Sequence, residues 1–289
     1  MIAKKNSYIL FALPAVLLFL IIVVIPLLFT VLFSFTEWRR FNIINFGTME
    51  HYIRSTKDPV LRKAFIHNLI YILFTIFLES GVGLILAGIV IHLRRSIIYR
   101  SLFFSPIILP SIVVGVLWRQ IYAYHSGLLN SIIGLFGGKE IDWLSYPFTM
   151  LSVSIVSGWL FSGFFMTIFY AGLARIPDSI IESAKLDGAS SSKIFLKIEL
   201  PLIKNLIMLA LLIVTTGGFK GFDLFQILLR RDPMESGIVM PVFLVRVFFE
   251  NQDIGYGSAV SVLLTFVVIA IIIIINFINK TFVGKVEEF

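Results

Sequence analysis

The chain has 289 residues, of which 58% are hydrophobic and only 14% charged, with a formal net charge of +7 and a mean hydropathy of +0.97. A soluble domain is nearer half apolar and a quarter charged, so a water-soluble fold is excluded and a polytopic membrane protein is indicated. Cysteine is absent, which removes disulfides, thiolate metal sites and cysteine nucleophiles. His51, His67, His92 and His125 lie far apart without HxH or HExxH pairing, so metal chemistry has no support.

In chain order, Lys4 and Lys5 precede an apolar run that reaches residue 35. A signal-peptide core is only about 7–15 residues long, so this run predicts a retained membrane helix. Spanning a bilayer takes roughly 20 apolar residues. Six runs qualify, at about 8–35, 65–91, 101–124, 147–173, 203–227 and 258–279. They lack the period-2 alternation of barrel strands, and lipid cannot satisfy an open backbone, so they are predicted as helices. The expected fold is all-α, with six transmembrane helices in one domain, 1–289.

Pro14, Pro26, Pro106 and Pro110 fall inside these runs, and "SPIILPS" at 105–111 predicts a bend. "IVMPVFLVRVFF" at 238–249 is too short to span and predicts a re-entrant or interfacial helix. Lys and Arg are nearly balanced between the two sides. The short loop "HLRRSIIYR", 92–100, has three basic residues and no acid, which favours a cytoplasmic N-terminus. An even number of spans then puts both termini, and residues 174–202, in the cytoplasm.

That last loop contains "IPDSIIESAKLDGASSSKIFLKIELPLI", 176–203. Pro177 suits a first helical turn, and Ser179 with Glu182 fits a capping box. Ile176, Ile180 and Ala184 share one face. Gly188 allows the left-handed residue that ends a helix. A second short helix follows, broken by Pro201. The physics alone leaves two readings open, a mere amphipathic connector or a docking element for a soluble partner.

The pattern E-S-A-x-x-x-G, nine residues, then I-x-L-P is made by Glu182, Ser183, Ala184, Gly188, Ile198, Leu200 and Pro201. It closely resembles the EAA loop of the membrane subunits of bacterial ABC importers, with Ser183 where alanine is usual. "EHYIRSTKDPVLRKAFIHN" (50–68), "YRSLFFSPIILPSIVVGVLWRQIYAYHSGLLN" (99–130), "AGLARIP" (171–177), "GGFKGFDLFQILLRRDP" (217–233) and "FFENQDIGYGSA" (248–259) resemble the carbohydrate-import branch, of the maltose/glycerol-phosphate permease type. "RRDP" stands where that branch commonly has a glycine-rich "GGGP". The resemblance implies a type I ABC importer transmembrane domain in a bacterial cell membrane. It would pair with a second homologous permease, two ATPase subunits and an extracellular solute-binding protein. Residues 178–190 would be a coupling helix, and Glu182, Ser183, Ala184, Asp187, Gly188, Ile198, Leu200 and Pro201 would form the ATPase contact.

The chain is expected to be non-catalytic. It has no G-x-x-x-x-G-K-[ST] nucleotide loop, so ATP and Mg would be held by the partner ATPases. For the solute path, Glu79 is the clearest ionisable residue inside a span. Lys220 and Asp223 are three apart and expected to form an ion pair. Trp118, Trp159, Phe164 and Tyr170 offer aromatic faces of the kind that stack on sugars. A phosphorylated solute would want converging arginines, which are not in view; a glycerol phosphate or polyol stays as an alternative solute. A stand-alone secondary transporter would predict repeat-related broken helices and several intramembrane acids. A membrane enzyme would need a cluster of catalytic side chains at one depth. Neither pattern is readable.

Overall fold

The computed structural model describes residues 4–39, 42–229 and 237–283. The "RRDP" segment lies outside the described residues. The chain divides into two compact units, 1–62 with 243–269, and 63–242 with 270–289.

In the first unit, α1 runs Lys4–Phe19, loosens into a π-helical turn at Leu20–Val24 and continues as Ile25–Phe33. Pro26 explains the loosening, because it has no N–H to return to the preceding turn. No residue of Phe11–Phe33 is buried. A hairpin follows, β1 (Thr36–Arg39) and β2 (Asn42–Phe46), paired antiparallel from Thr36↔Phe46 to Arg39↔Asn42 with a bulge between Glu37 and Trp38. This strand pair was not expected. Four or five residues of alternating pattern are too few to stand out beside 20-residue apolar runs. Helix α2 (Glu50–Lys57) then packs its His51 under the hairpin, with Nε2 at 3.0 Å from the Thr36 carbonyl. Later in the chain, Asp253 returns to this unit and pairs with Arg54 at 2.6 Å. The Arg54 guanidinium lies 3.9 Å above the Tyr256 ring, and Tyr256 donates to Asp58 at 2.7 Å.

The second unit is built on α3 (Pro59–Val90) and α7 (Thr149–Leu173). Helix α3 contains a π-helical turn at Ile76–Gly81. Helix α7 is apolar but rich in serine and glycine, which lets helices approach closely in lipid. A Cβ on Gly83 would meet Phe165 and the Ser162 carbonyl at 2.8 Å, and one on Gly158 would meet Leu78 at 2.7 Å. The hydroxyls do not stay orphaned: Ser154 bonds back to Met150 O at 2.7 Å and Thr167 to Gly163 O at 2.9 Å. The core around this crossing holds Ala87, Val90, Phe165, Met166, Phe169 and Leu173, joined by Ile203, Ala210 and Val214.

Between α3 and α7 the chain makes α4 (Ser96–Ile108), α5 (Ser111–Ile121) and α6 (Leu128–Leu135). The expected span 101–124 is therefore a pair of helices, bent by 95°. Leu109 and Pro110 are extended there, with ψ of 135° and 134°; Pro110 forbids its predecessor a helical conformation. After α7 come α8 (Asp178–Leu186), α9 (Ser191–Leu202), α10 (Lys204–Gly218) and α11 (Asp223–Leu229). A 72° bend separates α9 from α10 at the buried Ile203. The expected run to residue 227 stops as helix at Gly218, where the glycine-rich 217–221 segment leaves the helical path. Helix α12 (Met240–Val245) occupies the short apolar segment, and α13 (Ile254–Val283) closes the chain. Among the described residues, four helices are long and apolar enough to cross a membrane, six if each bent pair counts as one span.

Candidate functional site

Two regions gather the residues singled out from the sequence. The first is α8 and its flanks. Pro177, at ψ 133°, is the residue before the helix rather than within its first turn, and no side chain caps the end. The expected capping box is thus not formed. Proline's fixed φ starts the helix at Asp178, which leaves Ser179 already inside it. Ser183 instead bonds back to Ser179 O at 2.7 Å. Asp178 in the first turn and Lys185 in the last complement the helix dipole. Asp187 ends the helix and Gly188 takes φ +77°. Gly188 N–H donates to Lys185 O and Ala189 N–H to Ala184 O, both at 3.0 Å, which is the paired closure of a Schellman motif.

No residue of α8 is buried. Glu182 faces water, and Leu186 is 88% exposed. The downstream members differ: Ile198 and Leu200 are half-buried, Leu200 against the core cluster, and Pro201 is exposed within the last turn before the 72° bend. The result is a short helix closed at its C-terminus, carried clear of the protein by two anchored ends.

The second region is a cavity of about 390 Å³ lined from α3, α7, α10, α11 and the α4–α5 bend. Glu79 sits in the π-turn of α3 and is 7% exposed. Tyr71 O–H donates to Ser157 Oγ at 3.1 Å, and Ser157 donates to Glu79 Oε1 at 2.6 Å. Asp223 accepts from Ser111 at 3.1 Å. The expected Lys220–Asp223 ion pair is absent although both line the cavity. Those two residues flank the point where the chain leaves 217–221 and re-enters helix, so the i,i+3 spacing does not place them on one helical face. Asn68 fixes that turn, donating to Gly218 O at 3.1 Å and accepting from Met240 N at 3.2 Å.

The aromatic candidates separate. Phe164 lines the Glu79 cavity. Trp118 and Trp159 meet edge to face at 5.9 Å in a second cavity of about 610 Å³, with Leu78 and Phe103. Tyr170 lines neither; its ring lies 4.3 Å beneath Arg100 and its hydroxyl 3.0 Å from Ser96. Tyr71, Ser111 and Ser157 were not singled out from the sequence. Ser157 alone had a signal, the density of serine in α7, which also reads as ordinary helix packing.

The chain matches the family described as the binding-protein-dependent transport system inner membrane component over residues 79–288. It is 31% identical to the probable ABC transporter permease protein YurN of Bacillus subtilis (strain 168), over 91% of this chain and 92% of that protein. It is 28% identical to the arabinooligosaccharides transport system permease protein AraP of the same organism, over 98% and 91% of the two chains. Its fold is similar to a chain of the crystal structure of a bacterial alginate ABC transporter in complex with alginate pentasaccharide-bound periplasmic protein. That likeness has a TM-score of 0.85 at 18% identity, covering 97% of this chain and 96% of the other. On this evidence the chain belongs to the binding-protein-dependent transport system inner membrane components and is a multi-pass membrane permease subunit of an ABC importer.

Proposed function

We propose that the chain, acting as one permease domain, forms half of the membrane path of an ATP-driven importer for a sugar or oligosaccharide. A second homologous permease supplies the other half, and an extracellular binding protein delivers the solute. Both termini and residues 174–202 lie in the cytoplasm. The chain itself does no chemistry: ATP and Mg are held by two partner ATPase subunits.

The observation that carries the coupling role is α8, an exposed helix with a closed C-terminus, an apolar Leu186 at its tip and no buried residue. A rigid helix seated in a partner transmits a rigid-body motion that a loose loop would absorb. Glu182, Ser183, Ala184, Asp187 and Gly188 form the docking element. Ile198, Leu200 and Pro201 carry its motion to the bend before α10. Support for a carbohydrate solute comes from the relative named for arabinooligosaccharides. The Glu79 cavity adds acceptors beside aromatic faces, with Phe164, Lys220 and Asp223 on the path.

The test is uptake of radiolabelled solutes by cells deleted for this chain and complemented with it. The panel holds neutral mono- and oligosaccharides, polyols and glycerol 3-phosphate. Restored uptake of a saccharide is expected. Restoration only for a polyol or the phosphate ester would overturn the carbohydrate reading and leave the importer reading in place.

A further inference from the structure

The charges in the Glu79 cavity are unevenly placed. Its titratable lining groups are Tyr71, Glu79, Lys220 and Asp223. The cavity lies within the range of about 300–1,000 Å³ typical of small-molecule sites. Of the three charged groups, Glu79 alone is nearly sequestered from solvent, whereas Lys220 and Asp223 are exposed. Exposed charges are screened by water and salt, while a buried carboxylate is not. Ser157 donates to Glu79, and Tyr71 donates in turn to Ser157, which fixes the direction of the serine hydroxyl. Glu79 thus accepts at Oε1, and a hydroxyl donating to a carboxylate is the stronger, charge-assisted kind of bond.

We propose that this cavity is an anion-excluding filter in which Glu79, aligned by Ser157 and Tyr71, admits neutral polyhydroxylated solutes and turns away uronates and phosphorylated sugars. A neutral sugar offers hydroxyl donors to Glu79 and Asp223 and a flat apolar face to Phe164. An acidic sugar brings a second negative charge toward a carboxylate with little water to screen it. Lys220, at the exposed end, does not reach the burial that would offset this. The proposal rests on the import reading, since it assigns a solute class to that path.

The absence of cysteine gives a direct test in the assembled complex, solubilised from its own membrane. Phe164→Cys places a reporter in the cavity, and Phe136→Cys, at a side chain 87% exposed, gives the reference. Each is treated with a cationic (trimethylammonium-ethyl) and an anionic (sulfonatoethyl) methanethiosulfonate, and modification of this chain is followed by intact mass. The cation-over-anion rate ratio at Phe164→Cys is expected to exceed the reference ratio by about tenfold, the lower end of what a charged cleft does to encounter rates. Adding Glu79→Gln lowers it at least about threefold, and Glu79→Asp preserves it. A ratio equal to the reference, a ratio untouched by Glu79→Gln, or no reaction with either reagent would overturn the proposal. The readout needs no transported sugar, so it stands or falls separately from the uptake panel.

Discussion

Asn68 has no exposed surface, and its side-chain amide is split between the Gly218 carbonyl and the Met240 N–H. A single residue thereby holds the turn that brings Lys220 and Asp223 to the cavity. Truncating it strands two buried backbone groups, each with a desolvation penalty of about 1–3 kcal/mol. Asn68→Ala is expected to lower the thermal midpoint of the detergent-solubilised complex and to reduce uptake. Asn68→Asp keeps the acceptor and loses the donor, so it should fall between Asn68→Ala and wild type by the same melting assay. Equal melting of all three would remove this role. The serines of α7 take different roles. Ser154 bonds within its own helix while Ser157, one turn on, reaches Glu79. Nothing in a list of serines along an apolar run distinguishes the two.

At the scale of elements, α8 was the most legible part of the chain. A proline, an acidic first turn, a basic last turn and a glycine in fixed order leave few alternatives to a short helix closed at Gly188. The capping box read from Ser179 and Glu182 did not form, because S-x-x-E also occurs inside helices, where the hydroxyl has a backbone carbonyl to bond. The spans were legible from length and apolarity. Their breaks were legible only in part: two prolines announced the α4–α5 bend but not its 95°, and Gly217 and Gly218 ended α10 although the apolar run continued. Hydropathy reports how greasy a stretch is, not which way it points. Nothing touches a Cβ built on Gly188, so a substitution there acts through backbone conformation alone. A non-glycine residue in that conformation costs roughly 1–2 kcal/mol, a factor of about 5–30 in local opening. Gly188→Val is therefore expected to accelerate tryptic cleavage after Lys185 severalfold in inside-out vesicles, whereas Gly188→Asn, which tolerates a positive φ, stays near wild type. Unchanged cleavage in Gly188→Val would mean that the cap does not hold the helix.

For the whole molecule, the proposed coupling has motion generated by ATP hydrolysis elsewhere enter this chain through α8. A helix with no buried residue, and Leu186 bare at its tip, is a poor investment for a chain working alone. Packing of that apolar tip against a partner subunit, as proposed, would account for it. The most direct measurement is affinity purification of the tagged full-length chain from its native membrane, with mass spectrometry of what accompanies it. The account predicts a second multi-span permease and an ABC ATPase with the wild type. With Glu182→Lys and Leu186→Asp together, the permease stays and the ATPase is lost. A stable assembly of this chain alone, or an ATPase retained undiminished by both substitutions, would contradict it.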